Sequence, residues 1–229
     1  MAALSCPAVS SSPAYALRRS DRARRVRVSV REDGMVEVVL PRRAPERLAD
    51  EAIVELAPWI ARRRAEVAAV RARLAARGDT LPYLDDTLTL RREPGRTRVH
   101  RRGDTLLVPA TDPDPAIERW YRRAARTEVA PRVEEATAAL GVGFEKITIR
   151  NQRSRWGSCS ATGALSFNWR LLLAPAEILD YVVWHECCHL VHLDHSPSFW
   201  GLLAAHRPAY KAEQRWLRRH GATLVLSPG

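Results

Sequence analysis

Between Trp184 and Ser196 the chain reads WHECCHLVHLDHS, gathering four of its seven histidines and two of its four cysteines. In a helix, residues four apart share a face, so His185 and His189 aim two imidazoles at one point. A catalytic zinc takes three protein ligands and keeps a fourth position for water. Glu186, on a neighbouring face, can take a proton from that water without ligating the metal. The expected chemistry is hydrolysis assisted by one zinc ion, with Glu186 as the general base.

Two histidines compete for the third ligand position. His192 lies three residues past His189 and shares its face if the helix continues. His195 lies six past His189 and reaches the ion only if the chain leaves the helix after about Val191 and folds back. The dipeptide Ser196-Pro197 is a cap followed by a first-turn proline, so a new helix begins there. The chain must therefore turn where His195 stands, which selects His195 and leaves His192 facing solvent or supporting the ligands. Cys187 and Cys188 fan away from the His185–His189 face and read as small buried hydrophobes. Cys188 could still approach that face, and Cys159 fits either role.

A hydrolytic site also needs a second electrophile. The segment RSRWGSC offers Arg153 and Arg155, whose planar forks suit carboxylate or phosphate, and Asn168 follows as a polar orienting group. Trp156 suits an apolar wall or a core position.

The elements that must position these groups follow from periodicity. VRVSVREDGMVEVVL, Val26 to Leu40, alternates apolar and polar residues about Asp33-Gly34, as a hairpin does. Helical periodicity runs from about Pro45 to Arg77 with a break near Ala57, because Pro58 interrupts it. Short strands fill Thr80 to Ala110 and are expected to join the first hairpin in one small antiparallel sheet. Asp112 can cap a helix running from about Pro113 to Leu140. FEKITIRNQ reads as a strand, Ala164 to Trp169 as another, and PAEILDYVVWHECCHL as an almost wholly buried helix. Two further helices, PSFWGLLAAH and PAYKAEQRWLRRH, close the chain. The division expected is a disordered tail over 1–20, a strand-rich region with a helical insertion over 21–111, and the metal-binding catalytic domain over 112–229.

Composition narrows the class. Hydrophobic residues make up 46% and charged residues 28%, which excludes a disordered chain. No run of eighteen uncharged apolar residues suggests a membrane span. The cysteines show no disulfide framework, and the N-terminus lacks the charge order of a signal peptide, so a reduced, cytoplasmic protein is expected. The formal charge of +11 raises a nucleic-acid partner, but only Lys146 and Lys211 among 37 basic residues are lysine. Arginine is thus used throughout, and a genome-wide codon bias would do the same. The densest run, Leu17 to Arg31, alternates some of its arginines with valine, as the solvated face of a strand or a polyanion-attracting surface would.

Three blocks in order, RSRWGSCS, LSFNWRLLLAP and HECCHLVHLDHSPSFW, make the segment Asn151 to Leu203 resemble the YgjP-like metallopeptidase family, a zincin-like group related to the SprT-like and WLM families. The likeness extends loosely to RRVRVSVREDGMVEVVLP and LPYL. It implies an α+β zincin-like fold with the active-site helix beside a small sheet. It also implies one zinc on His185, His189 and His195, Glu186 as base, and the Arg153–Ser160 segment alongside. Cys187 departs from the aliphatic residue or alanine common in the family, which affects packing or redox sensitivity and not the ligands. Because fold does not fix substrate, three functions remain open. They are a metallopeptidase, a metal-dependent nucleotide phosphoanhydride hydrolase on the same site, and a nucleic-acid-associated zinc module.

Overall fold

The computed structural model describes residues 14–31, 33–152 and 154–227. They form two compact units that divide between Ala76 and Arg77.

The first unit comprises β1 (Tyr15–Ser20), β2 (Arg27–Val30), β3 (Val36–Pro41), α1 (Arg47–Glu55) and α2 (Ala57–Ala76). The expected hairpin is present as the antiparallel β2–β3 pair, turning at Gly34, whose φ of +85° suits glycine. The expected helix break falls at Leu56. Pro58 is the second residue of α2, where a missing N–H needs no intrahelical partner. The tail expected over 1–20 is corrected in part. Residues 1–13, Cys6 among them, lie outside the described residues, but Tyr15–Ser20 is a strand pairing parallel with β3. The reason is packing: Tyr15 and Leu17 join the cluster of Val36, Val38, Leu40, Ala49, Ile53 and Ile60. The Tyr15 hydroxyl donates to Asp50 at 2.6 Å, and Arg19 donates to the carbonyls of Arg42 and Ala44.

The second unit begins with β4 (Thr80–Tyr83), β5 (Asp86–Glu93), β6 (His100–Arg102) and β7 (Thr105–Pro109), in the order β4-β5-β7-β6. A single antiparallel sheet shared with the first hairpin is not what forms. The two groups of strands are separate sheets, and β5 runs parallel to β7. Leu81, Leu88, Leu106 and Val108 bury into one cluster with Ile117, Tyr121 and Val133 of the long helix α3 (Asp114–Leu140). That shared core moves the division from 111–112 to 76–77. Asp112 does not cap α3; it has a φ of +43°, and Pro113 precedes the first turn with no side-chain cap.

The third sheet holds β8 (Lys146–Arg150), β9 (Gly157–Cys159) and β10 (Ala164–Asn168) in the order β8-β10-β9, so β9 is an edge. A 3-10 turn over Trp169–Leu173 leads into α4 (Ala176–Cys188), followed by α5 (Pro197–His206) and α6 (Tyr210–His220). One side of α4 is enclosed: Ile178, Leu179, Val183, Cys187 and Cys188 have no exposed surface. Asp85, in the β4–β5 turn, accepts the orphan N–H of Ala176 at 3.0 Å and so caps α4 from a distant part of the chain. Arg132 of α3 donates to Asp180 of α4 and to Glu128, each at 2.8 Å. Arg207 then joins Asp180 to Glu213 of α6. Three helices and the residue that ends α5 are thereby tied by charged pairs.

Candidate metal centre

His185 and His189 sit on the last turn of α4, where the periodicity puts them on one face. Their rings lie 4.9 Å apart, centre to centre. The helix stops at His189. Leu190, Val191 and His192 then bond back to the carbonyls of Cys187 and Cys188, a tight reversal in place of another turn. That reversal takes the His192 side chain off the His185–His189 face and returns His195 to it. Ser196 caps α5 as the sequence predicts, its hydroxyl accepting from the Phe199 N–H.

The result is a cluster of three imidazoles. His185, His189 and His195 each offer a ligand atom, and these atoms lie within 4.8 Å of one another. Nε2 of His195 and Nε2 of His185 are 3.1 Å apart. Two nitrogens bound at tetrahedral angles to a small cation stand about 3.3 Å apart, so the spacing fits. Nδ1 of His189 lies 2.9 Å from the His192 carbonyl oxygen. Its proton therefore sits on Nδ1, leaving the Nε2 lone pair for a metal. His192 thus serves through its backbone. The donor set fits a divalent transition metal: three imidazole nitrogens, one with its tautomer fixed. Burial grades across the site, with His189 buried, His185 half-buried and His195 exposed, so it opens on the His195 side.

Aromatic side chains hold the rings in place. Phe199 stacks on His189 with centres 4.4 Å apart, Trp200 stacks on His195 at 5.3 Å, and Tyr181 meets His185 edge-on at 5.9 Å. Phe199 and Trp200 sit in the first turn of α5, so one helix start orients two of the imidazoles. Sequence reasoning did not single out these residues, although PSFW directly after His195 was the available signal.

Burial and the two neighbouring imidazoles push His185 down to about 3, so it stays neutral, as a ligand must. Glu186 is 6% exposed, and burial raises its carboxyl to about 8, with Arg155 acting in the opposite direction. The carboxylate points at β9. A Cβ on Gly157 would stand 2.5 Å from Oε1 of Glu186, so only glycine leaves room for this side chain. Cys187 and Cys188 are fully buried, and their thiols rise to about 12 and about 11 through burial. Neither offers a thiolate, which agrees with a packing role. Cys159, at the end of β9, is half-buried, and burial and Glu186 raise its thiol as well.

The remaining predicted site residues separate. Arg155 is exposed and close enough to influence Glu186. Arg153 lies outside the described residues. Asn168 is 4% exposed and belongs to the scaffold: Nδ2 donates to the carbonyls of Gln152 at 2.6 Å and Arg155 at 3.2 Å, while Oδ1 accepts from the Arg170 N–H. It fastens the loop that carries Arg155 and, with its amide fully engaged, offers little to a substrate. Trp156 packs on the backbone of Gly221, where an added Cβ would come within 2.8 Å of the indole.

A family model described as YgjP-like, metallopeptidase domain, matches residues 24–220. The chain belongs to the YgjP-like metallopeptidase family. Its α+β architecture is the zincin-like metallopeptidase fold, and membership together with the histidine cluster supports hydrolase activity. Two solved structures are similar. The metallopeptidase zymogen of Pyrococcus abyssi abylysin is 24% identical, over 40% of this chain and 93% of that one, with a TM-score of 0.37. The metallopeptidase zymogen of Methanocaldococcus jannaschii jannalysin is 20% identical, over 40% and 89%, with a TM-score of 0.36. No curated protein matches the chain. No helix among the described residues is long and apolar enough to cross a membrane.

Proposed function

We propose that the protein is a zinc metallopeptidase in which His185, His189 and His195 hold one ion and Glu186 is the general base. Zinc so held supplies Lewis acidity, lowering the pKa of water and polarising a carbonyl. The residues do the rest. Glu186 accepts a proton from the attacking water and passes it to the leaving amine. Its burial supports this role, because a carboxyl raised toward neutrality is poised to exchange protons at physiological pH. Arg155, exposed at the rim, is the available cation for the developing oxyanion or for a substrate carboxylate.

The observation that carries peptide over other substrates is the free edge of β9 beside Glu186. An extended peptide binds by adding a strand to such an edge, and among the described residues Gly157–Cys159 pairs with no strand on the side away from β10. Arg155 beside the carboxylate favours one second reading, hydrolysis of a nucleotide phosphoanhydride on the same site. That chemistry calls for several cations converging on the metal, and among the described residues Arg155 alone influences Glu186.

The test presents zinc-loaded protein with an unstructured protein substrate and, separately, with nucleoside triphosphates, comparing wild type with Arg155→Gln. Peptide-bond cleavage without triphosphate turnover, slowed by the substitution but not abolished, supports the peptidase. Triphosphate turnover without proteolysis, lost on substitution, assigns the site to the second reading.

A further inference from the structure

The β1-β3-β2 sheet has two unlike faces. Val36, Val38 and Leu40 of β3 close on α1 and α2, and Val28, Val30, Tyr15 and Leu17 point the same way. The opposite face follows from the register. Arg18 of β1 and Arg27 of β2 both pair with Val39 and so flank it in one row, while Ala16 and Ser29 flank Glu37 in the next. Neighbouring strands stand about 4.8 Å apart, which puts the Arg18 and Arg27 backbones about 10 Å apart across the face. Glu37 is the one acid among these outward strand residues, and Arg18 covers it at 3.6 Å.

The segment joining β1 to β2 adds Arg22, Arg24 and Arg25. These three and Arg27 are all exposed, and none has an ion pair or side-chain hydrogen bond among the described residues. The nearest acid in sequence, Asp21, is taken by Arg42. Most other arginines of this unit are engaged: Arg31 with Asp33, Arg47 with Glu51 and Arg63 with Glu66. Among the described residues the unit therefore leaves four cations unneutralised within six residues of chain, at the end of the sheet where β1 leads into β2.

We propose that this face binds nucleic acid through its phosphate backbone, apart from the metal chemistry. Guanidinium forks match phosphate oxygens in pairs, and a cluster without acids gives the positive potential a polyanion needs. The patch carries no exposed large apolar residue to insert into a bilayer, which disfavours a membrane surface. It also carries no aromatic platform, so binding follows charge and not base sequence.

The full chain is titrated onto a labelled 20-base-pair duplex of arbitrary sequence, by anisotropy, over a series of salt concentrations. With about four phosphate contacts, log K against log salt falls with a slope of about −3 to −4. Arg22→Gln, Arg24→Gln, Arg25→Gln and Arg27→Gln together weaken binding by at least ~10-fold and bring the slope near zero, whereas the four lysine replacements preserve it. The comparison variant removes Arg98, Arg119, Arg123 and Arg126, equal in charge and also exposed. Equal loss from that variant reduces the effect to net charge and overturns the proposal, as does no binding at low salt. Anionic vesicles bound in preference to the duplex, with the same four-arginine dependence, also overturn it. Circular dichroism of the glutamine variant should match wild type, since these side chains hold no partner among the described residues.

Discussion

Gly157 and Glu186 are fitted to one another: the place a Cβ would occupy on the strand residue stands 2.5 Å from the carboxylate oxygen of the helix residue. The edge strand thereby decides where the Glu186 carboxylate, the proposed base, points. Gly157→Ala should move Glu186 by the better part of an ångström while leaving the histidines in place. A misplacement of that size costs about 100-fold in turnover. Metal content by elemental analysis should stay near one equivalent while kcat falls; loss of the metal as well would mean that Gly157 supports the ligands.

His195 and His192 should behave differently. His195→Ala removes a proposed ligand and should abolish stoichiometric zinc. His192→Ala keeps the backbone carbonyl that receives His189 Nδ1, so zinc affinity should drop by less than ~10-fold, below the usual effect of losing a ligand's supporting partner. Equal losses would contradict the assignment of the third ligand.

Asn168 should be irreplaceable by its nearest isostere. Asn168→Asp keeps the acceptor for the Arg170 N–H but loses both donations to the 152–155 loop. Orphaning those carbonyls costs about 1–3 kcal/mol, visible as a lower midpoint in denaturant. Turnover should fall with it, because the loop carries Arg155. Unchanged stability would mean that the loop is held elsewhere.

The metal-free chain should have a narrow stability optimum in pH. Folding raises Glu186 from the ordinary 4.5 to about 8, so between those values the folded chain keeps a proton that the unfolded chain has shed. That contribution is complete below pH 4.5 and is lost as pH rises to about 8. Folding lowers His185 from 6.5 to about 3, so its contribution is complete above pH 6.5 and is lost as pH falls to about 3. Thermal midpoints of chelator-treated protein should therefore peak between about pH 4.5 and 6.5. Glu186→Gln should flatten the alkaline limb and leave the acid limb; an alkaline limb that persists would refute the burial argument.

What the sequence revealed about the site was local. His185 and His189 fall on one face through helical spacing alone, and Ser196-Pro197 forces the turn that brings back His195. What stayed hidden depends on contacts between distant residues. Asp85 caps α4 across 91 residues, Gly157 makes room for Glu186, and Asn168 spends its amide on a loop. None of these leaves a periodic signal. The parallel pairing of β1 with β3 and of β5 with β7 was hidden for the same reason. Alternation tells which side of a strand is buried, but not which strand lies beside it.

The most direct test of the central claim is the Glu186→Gln variant, loaded with one equivalent of zinc and assayed on an unstructured protein substrate beside wild type. The account predicts unchanged zinc content and a fall in kcat of at least ~100-fold, the usual worth of a positioned general base. Full zinc occupancy with turnover preserved would show that Glu186 is not the base.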